Sequence, residues 1–195
     1  MTINLSKGGN ISLAKVSPGL RRAAVGLGWN PRTTDGAAFD LDASAIVVDG
    51  DGKALSDSHF VFYNNPGDPS GAVKHLGDNR TGDGEGDDES LTVDLTALPE
   101  QAQRVVFLAS IDQADVRRQT FGQVSAAYIR VYDAEHPDDA EAQARFDLGE
   151  DASTETALIF GELYRHNGEW KFRAIGQGYT TGLAGVLSDF GLLAG

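Results

Sequence analysis

The stretch Gly161-Glu162-Leu163-Tyr164-Arg165-His166-Asn167-Gly168-Glu169-Trp170-Lys171-Phe172-Arg173-Ala174-Ile175 (GELYRHNGEWKFRAI) decides the fold class. Two runs of aromatic and apolar residues, spaced by polar ones, flank a single Asn-Gly pair. Period-two alternation places one set of side chains on each face of a strand. Asn-Gly suits the two-residue turn that joins antiparallel strands. The stretch therefore reads as a β-hairpin.

Working outward, the same signature recurs. RVVFLASI (104–111) and AYIRVYD (127–133) carry β-branched and aromatic residues at period two, and Asp49-Gly50-Asp51-Gly52 is a further hairpin-turn signal. Strands are expected at 11–16, 23–29, 39–48, 59–63, 91–95, 105–111, 127–132, 144–148, 157–164 and 170–175. Helical signal is thin: 96–103, 113–119, and an amphipathic C-terminal segment at 181–193. Many short strands divided by turns predict an all-β fold, a two-sheet β-sandwich with a few short helices and a C-terminal helix. At 195 residues, with no linker or repeat in view, residues 1–195 read as one domain.

Composition narrows the function. The formal net charge of −13 disfavours nucleic acid and anionic lipid, which need basic surface, and favours cationic partners. Cysteine is absent, which excludes disulfides and thiolate zinc sites. The first residues, MTINLSKGGNISLAKV, hold no signal-peptide core, and no long apolar run follows, so a cytoplasmic protein without membrane insertion is expected.

The stretch GDNRTGDGEGDDE (77–89) crowds six carboxylates around Arg80 and alternates acids with glycine. Like charges at 4 Å repel by about 1 kcal/mol in water and by more near a protein surface, so gathering them needs a cation. Calcium fits: it takes oxygen ligands from irregular loops, and Gly82, Gly84 and Gly86 let carbonyls turn inward. Magnesium, with stricter geometry, ranks second, and the four histidines show no ligand spacing for zinc or copper. The loop is not an EF-hand, because Arg80 and Gly82 stand where acids are needed and Asp83 where glycine is needed.

Upstream, Asp40 and Asp42 share one strand face while Phe39, Leu41 and Ala43 share the other. With Asp78, Asp83, Glu85, Asp87, Asp88 and Glu89 they make eight carboxylates. That number, with carbonyls and water, suits two calcium ions needing about 12–16 oxygens. Plainer readings stand beside this one: a solvated acidic loop, a solvent-facing acidic pair, and histidines that pack or lie on the surface. No G-x-S-x-G elbow or Walker loop is present, so a metal-dependent hydrolase remains only as an alternative, beside an acidic scaffold that binds metal incidentally.

A set of segments then carries a resemblance. SKGGNISL, VGLGW, TDGAAFDLDASA, FVFYNNP, GDNRTGDGEGDDE, FGQVSAAYIRVYD, ARFDL and STETALIFGELYRHNGEWKFRAIGQGY resemble, in order, the tellurium-resistance TerD family of general stress proteins. The resemblance implies a cytosolic bacterial β-sandwich that binds calcium at one end, without established catalysis. It also implies assembly with TerD paralogues or with membrane-associated partners of the same operon. Its ligand set falls on Asp40, Asp42, Asp78, Asn79, Gly82, Asp83, Glu85, Asp87, Asp88 and Glu89. The chain departs from the family pattern after Ile111, where Asp112-Gln113-Ala114-Asp115 replaces Tyr-Asp-Ala-Glu, and that segment is not counted among the ligands.

Overall fold

The computed structural model describes residues 2–31, 39–77, 86–136, 144–149 and 154–193. Two six-stranded sheets pack face to face, as the alternating pattern requires. With strands numbered along the chain, the first sheet runs β1 (Ile3–Asn4), β10 (Ala144–Asp147), β9 (Val124–Asp133), β3 (Arg22–Pro31), β7 (Glu89–Asp94), β6 (Val73–His75). The second runs β2 (Asn10–Ser12), β12 (Glu169–Tyr179), β11 (Ala157–His166), β8 (Arg104–Ile111), β4 (Leu41–Val48), β5 (Phe60–Val61). Every named pairing is antiparallel except β1 on β10.

The hairpin is where the sequence placed it. His166 pairs with Glu169, and the two turn residues adopt positive φ, 51° at Asn167 and 77° at Gly168. That geometry matches the right-handed twist of the flanking strands.

The main core lies between the sheets. Val25, Leu27, Ile129 and Val131 of the first sheet pack in one buried cluster with Leu41, Ala43, Phe107 and Phe172 of the second. Burying one such large side chain contributes about 1.5–3 kcal/mol. A smaller core covers the outer face of the second sheet. There Ile46, Val106, Leu108 and Ile159 meet Val186, Leu187 and Phe190, supplied by α3 (Gly182–Asp189) and the residue after it. Strand β4 is consequently apolar on both faces through its second half, and only Asp42 and Ser44 bring polar groups to its outward side.

Several local expectations needed correction. The run at 11–16 is a strand only to Ser12, and Leu13–Val16 makes one helical turn, α1, whose Leu13 enters the core. Residues 96–103 form successive turns rather than a helix. The Asp94 carboxylate accepts from the Thr96 and Ala97 amides, and Pro99 lacks an amide to continue a helix. The run at 59–63 shrinks to β5 because a 3-10 turn occupies Asp57–His59. Strands β1 and β6, of two and three residues, were not expected, since such lengths carry no readable period. Within 113–119 a single turn, α2 (Ala114–Arg117), forms, and α3 stops at Asp189.

Candidate functional site

The acidic loop enters β7, and its last three acids are described: Asp87, Asp88 and Glu89. Each goes to a different element. Asp88 donates its amide to the Leu27 carbonyl at 2.8 Å, and its Oδ2 accepts from the Trp29 amide at 2.8 Å. Trp29 lies at the register shift between β3 and β9, so this carboxylate serves a backbone donor at an interruption of the ladder.

Asp87 lies flat on the outer face of the first sheet. Its Oδ1 accepts from Arg130 Nε at 2.7 Å, with the Tyr128 hydroxyl 3.0 Å away, and its side chain is 5% exposed. The space exists because residue 26 is glycine: a Cβ there would stand 1.9 Å from Asp87 Oδ2. Residue 28 repeats the device under the Tyr128 ring, 2.4 Å from where a Cβ would stand. The hydrogen bond to Asp87 raises the Arg130 pKa, while burial and then the Asp87 charge push the Tyr128 hydroxyl up. Arg145 stacks over Tyr128 at 3.8 Å and closes the cluster.

Glu89 points the other way, into the space between the sheets. Its Oε2 accepts from the Ala43 amide at 2.5 Å and lies 3.4 Å from His75 Nε2. Both side chains are buried, His75 on β6 as a packing residue in keeping with the plain reading of that histidine. The Glu89–Ala43 bond fastens the end of the acidic loop to the strand that carries Asp42 and follows Asp40.

Asp40 precedes β4 and accepts the Asp112 amide through its own carbonyl at 2.8 Å, which extends the β4–β8 ladder. Phe39, Leu41 and Ala43 are core, so Asp40 and Asp42 alternate away from it as the strand pattern predicts. Asp42 stands opposite Ser110 on the outer face of the second sheet.

Asp78, Asn79, Gly82, Asp83 and Glu85 lie outside the described residues. Among the described residues no three His, Asp or Glu side chains group closely enough to hold a metal ion. The side chains of Asp40, Asp42, Asp87, Asp88 and Glu89 are all oxygen donors, the type a hard cation selects. Sequence reading did not find Arg130, Tyr128 and the two underlying glycines. Their outward positions in an alternating strand look like ordinary solvated surface until Asp87 is seen to lie on them.

Among the described residues no helix is long and apolar enough to cross a membrane. A model of the TerD domain matches residues 1–190. The chain is 55% identical over 194 residues to the tellurium resistance protein TerD of Serratia marcescens, covering 100% of both chains. It is 50% identical over 196 residues to general stress protein 16U of Bacillus subtilis (strain 168), again covering 100% of both. The crystal structure of a Streptomyces coelicolor A3(2) homologue of a telluride resistance protein superposes with a TM-score of 0.69 at 26% identity, covering 88% of this chain and 96% of that one. Strand order, core and whole-length similarity lead to one conclusion: the chain belongs to the TerD domain family.

Proposed function

We propose that this chain is a non-catalytic, calcium-binding protein of tellurium and general stress resistance, built as one TerD unit and working in the cytoplasm. The resistance reading draws on whole-length relatives named for tellurium resistance and general stress. The calcium reading rests on one observation, the Glu89–Ala43 hydrogen bond, which brings the acidic loop's end against the strand that carries Asp42 and follows Asp40.

In this reading the acids divide their labour. Asp87, Asp88 and Glu89 anchor the loop's end to Arg130, Trp29 and Ala43. Asp40, Asp42, Asp78, Asn79, Gly82, Asp83 and Glu85 offer side-chain and carbonyl oxygens to two calcium ions. Bound calcium supplies positive charge that offsets the carboxylate repulsion and orders the loop as a surface for TerD paralogues or membrane-associated partners.

Calorimetric titration of chelator-stripped protein tests this directly. Calcium at 100 times Kd adds about 2.7 kcal/mol per independent site, so the melting temperature should climb with calcium and fall with chelator. Asp40→Asn with Asp83→Asn should remove most of that response. A flat titration with an unmoved melting temperature would defeat the reading. The net charge of −13 favours one rival, an acidic scaffold for basic partners. Salt-sensitive partner capture that ignores chelator would select it.

A further inference from the structure

The turn between β11 and β12 places two demands on one residue pair. Its left-handed backbone, φ 51° at Asn167 and 77° at Gly168, is the physical reason for Asn-Gly there. Asparagine is also a chemically labile residue, and it is most labile when glycine follows. The amide nitrogen of the next residue attacks the asparagine Cγ, and glycine alone brings no Cβ to hinder that approach. The chain has seven asparagines, and only Asn167 precedes a glycine.

The structure sets Asn167 apart from the others. Residues 166–169 are all exposed, so water reaches the reacting groups. Among the described residues nothing holds the Asn167 side chain or the Gly168 amide by a hydrogen bond. A Cβ built on Gly168 would meet nothing within 4 Å, so the space beside the attacking nitrogen is open. Elsewhere the attack is forbidden or restrained. Asn30 and Asn65 precede Pro31 and Pro66, which have no N–H to lose. The amide after Asn64 donates to the Phe62 carbonyl at 3.0 Å, and the amide after Asn4 donates to the Arg145 carbonyl at 2.8 Å. Asn10 lies within β2, opposite Arg173. Asn79 lies outside the described residues.

We propose that Asn167 is a site of spontaneous deamidation, a slow covalent modification of the folded chain that needs no enzyme. The Gly168 nitrogen gives up its proton and bonds to Asn167 Cγ. The Cγ–Nδ2 bond breaks, and ammonia leaves carrying that proton. A five-membered succinimide remains. Water then adds to one of the two ring carbonyls: opening at Cγ leaves aspartate, and opening at the backbone carbonyl leaves isoaspartate. Nothing is oxidised or reduced, and either product carries one more negative charge. Ring closure requires rotation about the Asn167 Cα–C bond, which the hairpin turn resists, so folding slows the reaction without stopping it. The two products differ in consequence. Aspartate suits this turn as asparagine does. Isoaspartate adds a methylene to the main chain between His166 and Glu169, the pair that begins the β11–β12 ladder seating Leu163 and Phe172 in the core.

Ageing the intact chain at mildly alkaline pH, then mapping it by trypsin and mass spectrometry, tests the proposal. Cleavage after Arg165 and Lys171 frees residues 166–171 as one peptide. That peptide should gain about one dalton and separate into two products, at least about tenfold faster than the peptide holding Asn64. Ageing in urea should speed the gain, because the turn no longer resists ring closure. Asn167→Gly keeps a residue that the turn accepts and has no side-chain amide to lose, so it should abolish the gain. The melting temperature of the aged chain should fall in step with its isoaspartate content, while that of aged Asn167→Gly holds. An unmodified 166–171 peptide in the folded chain beside conversion in urea overturns the proposal, since the turn then protects the site completely. A gain at Asn64 as fast as at Asn167, or one that survives Asn167→Gly, overturns it too.

Discussion

Glu89 Oε2 accepts a 2.5 Å hydrogen bond from the amide of Ala43, joining β7 of one sheet to β4 of the other. The carboxylate is 1% exposed and stands beside the equally buried His75. Two strands 46 positions apart in the chain are thereby locked at the rim where the acidic loop ends.

Glu89→Ala leaves the Ala43 amide buried without this acceptor, and it should lower stability by about 2–3 kcal/mol. Glu89→Gln keeps an acceptor oxygen and should lose about 1 kcal/mol. Urea unfolding, with an unchanged slope, measures both. Equal, negligible losses would show that the bond holds nothing.

Gly26→Ala must push Asp87 off Arg130, because the new Cβ would stand 1.9 Å from Asp87 Oδ2. A loss of about 2–3 kcal/mol is expected from overpacking and the broken charge-assisted bond. In an Asp87→Ala background the same change should cost less than about 1 kcal/mol, since the obstacle is gone. A double-mutant cycle decides, and strict additivity would place Asp87 elsewhere.

Gly168→Ala puts a side chain at φ 77° in the β11–β12 turn and should cost about 1–2 kcal/mol. Gly50→Ala provides the contrast. Gly50 does not adopt positive φ, its nearest neighbour would lie at 3.8 Å, and the change should be neutral or slightly stabilising. Thermal unfolding of the two variants gives the comparison, and similar effects would contradict it.

The Tyr179 hydroxyl donates to Asp189 Oδ2 at 2.8 Å, tying β12 to the end of α3. Burial, then that hydrogen bond and the Asp189 charge, push its pKa up to about 12. The folded chain therefore keeps this proton where the unfolded chain releases it near pH 10. The contribution is complete below about pH 10 and is lost as pH rises toward 12. Tyr179→Phe should flatten the fall in stability between about pH 10 and 12, read by urea unfolding across that range. An unaltered alkaline slope would remove Tyr179 from the account.

Alternation and turn chemistry by themselves determined the sandwich, because they are local: a strand with one buried face needs period two, and Asn167-Gly168 needs only its own φ angles. They also determined that Asp40 and Asp42 would share a face opposite Phe39, Leu41 and Ala43. Tertiary structure alone decided where the consecutive acids Asp87, Asp88 and Glu89 go, to Arg130, Trp29 and Ala43. It alone decided that Gly26 and Gly28 are floors for side chains from elsewhere, and that Ser44 lines one cavity with Phe60 and Phe62. The physical reason is range: a carboxylate's partner is set by which donors folding brings within about 3 Å, and those donors lie on strands remote in the chain.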